Sequence, residues 1–115
     1  MLDLNQALAA LLEPIARVEL EFPDTSAEFP VITIAEVANI TDYEVENKEH
    51  ISDITYQVDV WDNGSNRQKC ELLALEVSRV LTGAGFVRTL GRGFKDESGL
   101  HRKMMYFQTK AVNQE

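Results

Sequence analysis

The sequence holds a single cysteine, Cys70, in 115 residues. One thiol can close no intramolecular disulfide and build no cysteine-based metal cluster. Histidine is almost as scarce, and neither His50 nor His101 belongs to an HxH or HExxH pattern. The ligand spacings of zinc sites are therefore missing. No G-x-S-x-G, P-loop or G-x-G-x-x-G is present, and Gly91-Arg92-Gly93 lacks the strand-to-helix setting of a phosphate cradle. No catalytic residue, cofactor or metal is expected. Cations are the minority charge, 11 Lys and Arg against 19 Asp and Glu, for a net charge of −8. A bulk nucleic-acid binder needs a cationic footprint to release counterions, so this balance argues against one, and against docking to anionic membrane. The opening stretch MLDLNQALAALLEPIARVE has no basic n-region and carries Asp3 and Glu13. It reads as neither a signal peptide nor a membrane span, so synthesis and folding in a cytoplasm are expected.

What the chain does contain is an ordinary globular composition, 44% hydrophobic and 26% charged. Residues 1–115 read as one domain. Its centre is the stretch Ile51 to Leu81. Ile54, Tyr56, Val58 and Val60 alternate with Thr55, Gln57 and Asp59, the period of a half-buried strand. After the turn Asn63-Gly64-Ser65-Asn66 the period changes. Cys70, Leu73, Ala74, Val77 and Leu81 recur at helical spacing, with Asn66 as N-cap and Gly83-Ala84-Gly85 as the stop. Cys70 falls on the inward face, as a small buried hydrophobe.

Around this unit, residues 3–13 form a first helix with the stripe Leu4, Leu8, Leu11 and Leu12, limited by Pro14. Arg17 to Phe22 is a short strand or an extended arm. Val31 to Asn39 is rich in β-branched residues and reads as a strand. Residues 42–50 are the most polar run and are expected to be a loop, either plainly solvated or reaching toward a partner or a shared channel. Its acidic residues are Asp42, Glu44, Glu46 and Glu49. Phe86 to Leu90 and Leu100 to Ala111 form a final hairpin, broken or bulged at Gly91-Arg92-Gly93. The order α-(β)-β-β-α-β-β predicts an α+β two-layer sandwich, a mostly antiparallel sheet of four to five strands with two helices.

Few side chains suggest chemistry. Glu36 and Asp59 both lie on strands and read as solvent-facing charges rather than a general acid and base. His50 and His101 read as exposed strand-end residues. Surface patterning says more. Trp61 shares the parity of the polar positions of its strand, and Leu72 and Leu75, beside Arg79, fall opposite the core face of the second helix. Trp61, Leu72, Leu75 and Arg79 are therefore the expected subunit interface, unless the first helix covers them. Met104, Met105, Tyr106 and Phe107, apolar on both parities, predict a sheet covered on both sides.

These features fall in a definite order: a leucine-rich helix, the strand P-V-I-T-I-A-E (Pro30 to Glu36) with Asn39 at its end, the strand Y-Q-V-D-V-W (Tyr56 to Trp61), the helix R-Q-K-C-E-L-L-A-L-E-V, the strand G-F-V-R (Gly85 to Arg88) and the return strand M-M-Y-F (Met104 to Phe107). Over most of its length the chain resembles the small proteins of tailed bacteriophages and prophages that complete or terminate the tail and join it to the head. That resemblance implies a structural role without catalysis. It implies self-association into a ring, a hexamer on the tail, with the tail tube protein and head connector proteins as partners. It places the protein in the virion, at the tail or head–tail interface, with DNA passing through the lumen unread. An acidic lumen, to which Asp42, Glu44, Glu46 and Glu49 could contribute, would let DNA slide rather than bind. The alternative is a small cytoplasmic adaptor domain that docks a peptide or protein on Trp61 and the outer leucines.

Overall fold

A computed structural model of the chain describes residues 4–20, 28–45 and 49–114. The elements are α1 (Leu4–Leu12), β1 (Arg17–Leu20), β2 (Val31–Val45), β3 (Glu49–Asp62), α2 (Gln68–Gly83), β4 (Val87–Lys95) and β5 (His101–Gln114). They build the expected α+β fold. One five-stranded sheet has the order β1-β2-β3-β5-β4. Only the β1–β2 pair is parallel; the other three are antiparallel. The uncertain segment at Arg17 is thus a strand in the sheet.

Alternation along β3 decides which face meets the helices. Ile54, Tyr56, Val58 and Val60 are buried together with Ile32 and Ile34 of β2 and Met105 and Phe107 of β5. Against them pack Leu8 and Leu12 of α1 and Cys70, Ala74, Val77 and Leu81 of α2. Fully burying one such Val or Leu contributes about 1.5–3 kcal/mol, so packing rather than helix propensity fixes these helices. Two positions differ from the sequence pattern. Leu11 is 38% exposed, because α1 turns only a narrow edge to the sheet. Leu73 is only partly buried, at the margin of the core.

The largest difference concerns residues 42–50. They are mostly strand: β2 runs on to Val45 and β3 starts at Glu49, with Tyr43 opposite Ile51 and Glu44 opposite His50. Asp42 and Glu44 are thus β2 residues and Glu49 a β3 residue, while Glu46 lies outside the described residues. Polarity is a poor guide here because strand pairing is made by backbone groups and needs no apolar side chain at each position. At ~3.3 Å per residue such strands outreach the two-layer body, and the molecule measures 54 × 25 × 24 Å. β4 likewise runs unbroken through Gly91 and Gly93, and its irregularity falls between Arg88 and Leu90.

α2 starts one residue later than its asparagine suggests. Asn66 Oδ1 accepts the Gln68 amide at 2.9 Å, and the N-cap position is Arg67, without a side-chain cap. Arg67 instead ties α2 to the sheet. It donates to Phe94 O at 3.1 Å, to Arg102 O at 3.2 Å and to Glu71 Oε1 at 3.1 Å. Gly93 makes room for it, since a Cβ there would lie 2.3 Å from Arg67 Nη2. Gly93→Ala is therefore expected to displace the guanidinium and cost about 1.5–3 kcal/mol in urea unfolding, the value of hydrogen bonds from a charged donor. In an Arg67→Ala background the same substitution should cost much less. At the other end of α2, Gly85 takes φ 98° and Phe86 N reaches Leu81 O at 3.0 Å, a glycine-dependent helix stop.

Candidate interaction surfaces

The expected interface residues separate in three dimensions. Leu72 and Leu75 are 59% and 63% exposed. Arg79 is exposed and ion-paired with Glu76, which lowers the Glu76 pKa and raises that of Arg79. Residues 72, 75 and 79 follow i, i+3, i+7 spacing and form one stripe on the outer side of α2. The first helix does not cover it.

Trp61 is not on that surface. It is 3% exposed, and its Nε1–H donates to Thr33 Oγ1 at 2.8 Å. The Arg102 guanidinium carbon lies 4.4 Å from its ring centroid and 5.2 Å from that of Phe94. Trp61 does occupy the face away from the helices, as its parity required. What buries it is the register, which sets Arg102 directly opposite Trp61 and Phe94 opposite Arg102.

Asp59 is not a solvent-facing charge either. It is 2% exposed and accepts Arg102 Nε–H at 2.6 Å, while Gln57 Nε2 donates to it at 3.2 Å. Burial pushes its pKa up, and the Arg102 charge and hydrogen bonds from Arg102 and Gln57 pull the other way without fully offsetting it. Arg102 also reaches Asp96 Oδ1 at 3.3 Å. Burial opposes the Asp96 carboxylate, but the Ser98 amide and hydroxyl and the Arg102 charge outweigh it and hold its pKa below the usual value. Glu36 stands opposite Tyr56 and Asp59 opposite Thr33, so the two carboxylates lie on opposite faces and make no acid–base pair.

The two histidines lie on neighbouring strands, β3 and β5. His50 pairs with Glu44 and Asn113 within the sheet. His101 is half-buried rather than exposed, opposite Asp62. Its Nδ1 and Asp62 Oδ2 are buried without a hydrogen-bond partner among the described residues. The Cys70 thiol is buried, donates to Val60 O at 3.4 Å and has its pKa pushed up to about 11 by burial, which makes it a poor nucleophile at neutral pH. Among the described residues no cluster of three His, Cys, Asp or Glu side chains could hold a metal, and no helix is long and apolar enough to cross a membrane.

Among the described residues the features that stand out are an exposed α2 stripe and a long sheet. The same architecture occurs in a chain of the virion of a native gene transfer agent particle. The two superpose with a TM-score of 0.69 over 92% of this chain and 84% of the other, at 17% identity, a likeness of fold. No curated protein matches the sequence. Residues 2–109 match the family described as tail completion protein gp17. The chain belongs to that family and is a structural virion protein.

Proposed function

We propose that the chain is a ring subunit that completes the phage tail and joins it to the head, as tail terminator or head–tail joining protein. The observation that carries this reading is the outer stripe of α2. Leu72 and Leu75 are the two large hydrophobics that a free subunit leaves exposed on this helix, with Arg79 one turn on. Exposed apolar side chains rimmed by charge suit a protein contact, and a head-to-tail contact that closes on itself makes a ring. Six copies around the tail tube, with the head connector on the other side, fit the family role. The net charge of −8 suits a passage through which DNA moves without being held, since fixed anions repel phosphates at short range.

The test is electron microscopy of purified tail tubes mixed with the protein. Wild type should cap tube ends with closed rings of sixfold symmetry. Leu72→Asp with Leu75→Asp should leave the ends bare, while its thermal unfolding stays within about 0.5 kcal/mol of wild type, as for other surface changes. Capping by the double variant at wild-type levels would remove the α2 stripe from the interface.

A further inference from the structure

Both helices pack on one face of the sheet, the face that carries Ile54, Tyr56 and Val58. The face turned away from them carries the alternate residues of each strand, and the registers order these in rows. Leu90, Tyr106, Gln57 and Ala35 stand side by side across β4, β5, β3 and β2. The next row is Val87, Gln108 and Thr55. None of these seven side chains is charged. In a chain that is 26% charged, with a net charge of −8, that is a local depletion. Charge returns at the margins. One row along, Arg92 and the buried Asp59 flank Met104. In the other direction, the row after Gln108 holds Lys110, ion-paired with Asp53 at 2.8 Å. An uncharged centre around a tyrosine, inside a charged rim, is the make-up of a protein contact.

Exposure points to the same place. Of the six large hydrophobics exposed among the described residues, four fall on two surfaces. Val87 and Leu90 belong to this sheet face, and Leu72 and Leu75 to the outer side of α2. The two surfaces lie on opposite sides of a two-layer body. They also match in size and charge. Leu72 to Arg79 spans about 10 Å along the helix, at 1.5 Å per residue. Met104 to Lys110 spans about 20 Å along β5, at ~3.3 Å per residue, so the stripe fits within the rim. Arg79 brings its own counter-ion, Glu76. The stripe therefore adds no unpaired charge to a face that has none to offer in return.

We propose that the outer stripe of α2 in one copy of this chain packs on the uncharged sheet face of the next copy. This rests on the ring reading above and names the surface that the stripe meets. A symmetric contact, stripe to stripe or sheet to sheet, would cover one apolar surface and leave the other in water. Stripe to sheet covers both with a single kind of junction. Each copy then gives one surface and receives on the other, the head-to-tail order that ends only when a ring closes. Leu90, Tyr106 and Val87 are the receiving side.

The experiment is cross-linking of assembled rings. Leu75→Cys and Leu90→Cys are made singly and together. The native Cys70 is buried, with its thiol pKa pushed up to about 11, so a short bismaleimide meets only the introduced thiols. On tail tubes the double variant should yield a ladder of covalent dimers, trimers and larger products, and each single variant should stay monomeric. Dimers from Leu75→Cys alone would mean a stripe-to-stripe contact and overturn the proposal. Rings of the double variant that give no ladder, or products joined to the tube protein instead, would overturn it too. A second variant, Val87→Asp with Leu90→Asp, changes two exposed residues, and thermal unfolding establishes that it is folded. Its ring formation, counted by electron microscopy, should fall at least about tenfold, because the junction would then bury unpaired carboxylates. Rings at wild-type levels would remove the sheet face from the junction while the ring reading stands. If wild type itself forms no closed assembly, the ring reading fails and the junction with it.

Discussion

Replacing Arg102 with methionine should lower the unfolding free energy at neutral pH by about 3–5 kcal/mol, the cost of stranding a buried charge. The side chains of Arg102 and Asp59 are 14% and 3% exposed, so water cannot take over the lost contact. The same guanidinium holds Asp96 and lies against the rings of Trp61 and Phe94, so one substitution releases three elements. Methionine keeps much of the volume and isolates the loss of charge. The pH profile is diagnostic. A carboxylate whose folded pKa is raised contributes stability below its unfolded pKa and loses it as pH climbs through the folded value. Asp59 is of that kind in wild type, and without Arg102 its pKa rises further. The gap between variant and wild type should therefore narrow as pH falls and Asp59 becomes neutral. Asp96 has a lowered pKa and behaves oppositely: its contribution is present above the unfolded value and is lost on acidification. Urea unfolding of both proteins from pH 4 to pH 8 measures the difference, and a gap that does not vary with pH would rule out Asp59 as its source.

Trp61→Ala should cost a similar ~3–5 kcal/mol, as for other large aromatic side chains removed from a core. The indole fills the space between Thr33 and the Arg102 guanidinium, and its loss opens a cavity beneath the buried ion pair. Trp61→Phe keeps the ring and removes the hydrogen bond to Thr33, which should cost about 1 kcal/mol or slightly more because the Thr33 hydroxyl loses its partner. The pair of variants separates stability from assembly. A tryptophan within a subunit contact would, once changed to phenylalanine, weaken rings and leave the melting temperature alone. The burial of Trp61 predicts the reverse: a lower melting temperature and undiminished capping of tail tubes.

Parity and periodicity go far in this protein, and their failures have specific causes. The alternation of Ile54 to Val60 and the spacing of Cys70, Ala74, Val77 and Leu81 identify the inward faces, because each element must bury one side against the other. Leu72 and Leu75 could be assigned to the outside for the same reason. For Trp61 and Asp59 parity gives the correct face and the wrong exposure. Parity says which side of a sheet a residue occupies and nothing about what lies across from it. Arg102 sits 41 positions beyond Trp61 in sequence, and only the β3–β5 register brings the two together. The acidic run from Asp42 to Glu49 reads as a loop because a polar run marks turns, whereas Asp42, Glu44 and Glu49 belong to strands β2 and β3, whose pairing no local composition encodes.

The sequence alone determined the class of the fold, the content of its core, the outward stripe of α2 and the excess of negative charge. Each of these is a local property, set by composition or by a period of two or 3.6 residues. The tertiary structure decided what depends on pairing across distance. It placed Arg102 between two rings and two carboxylates. It turned the acidic run into the distal part of a strand pair. It also set the basic strand β4 at the edge of the sheet, beside β5. Strand order has no signature in a single strand, because it follows from which backbones share hydrogen bonds. For that reason the cations of β4 are known to line an edge only once the sheet is assembled.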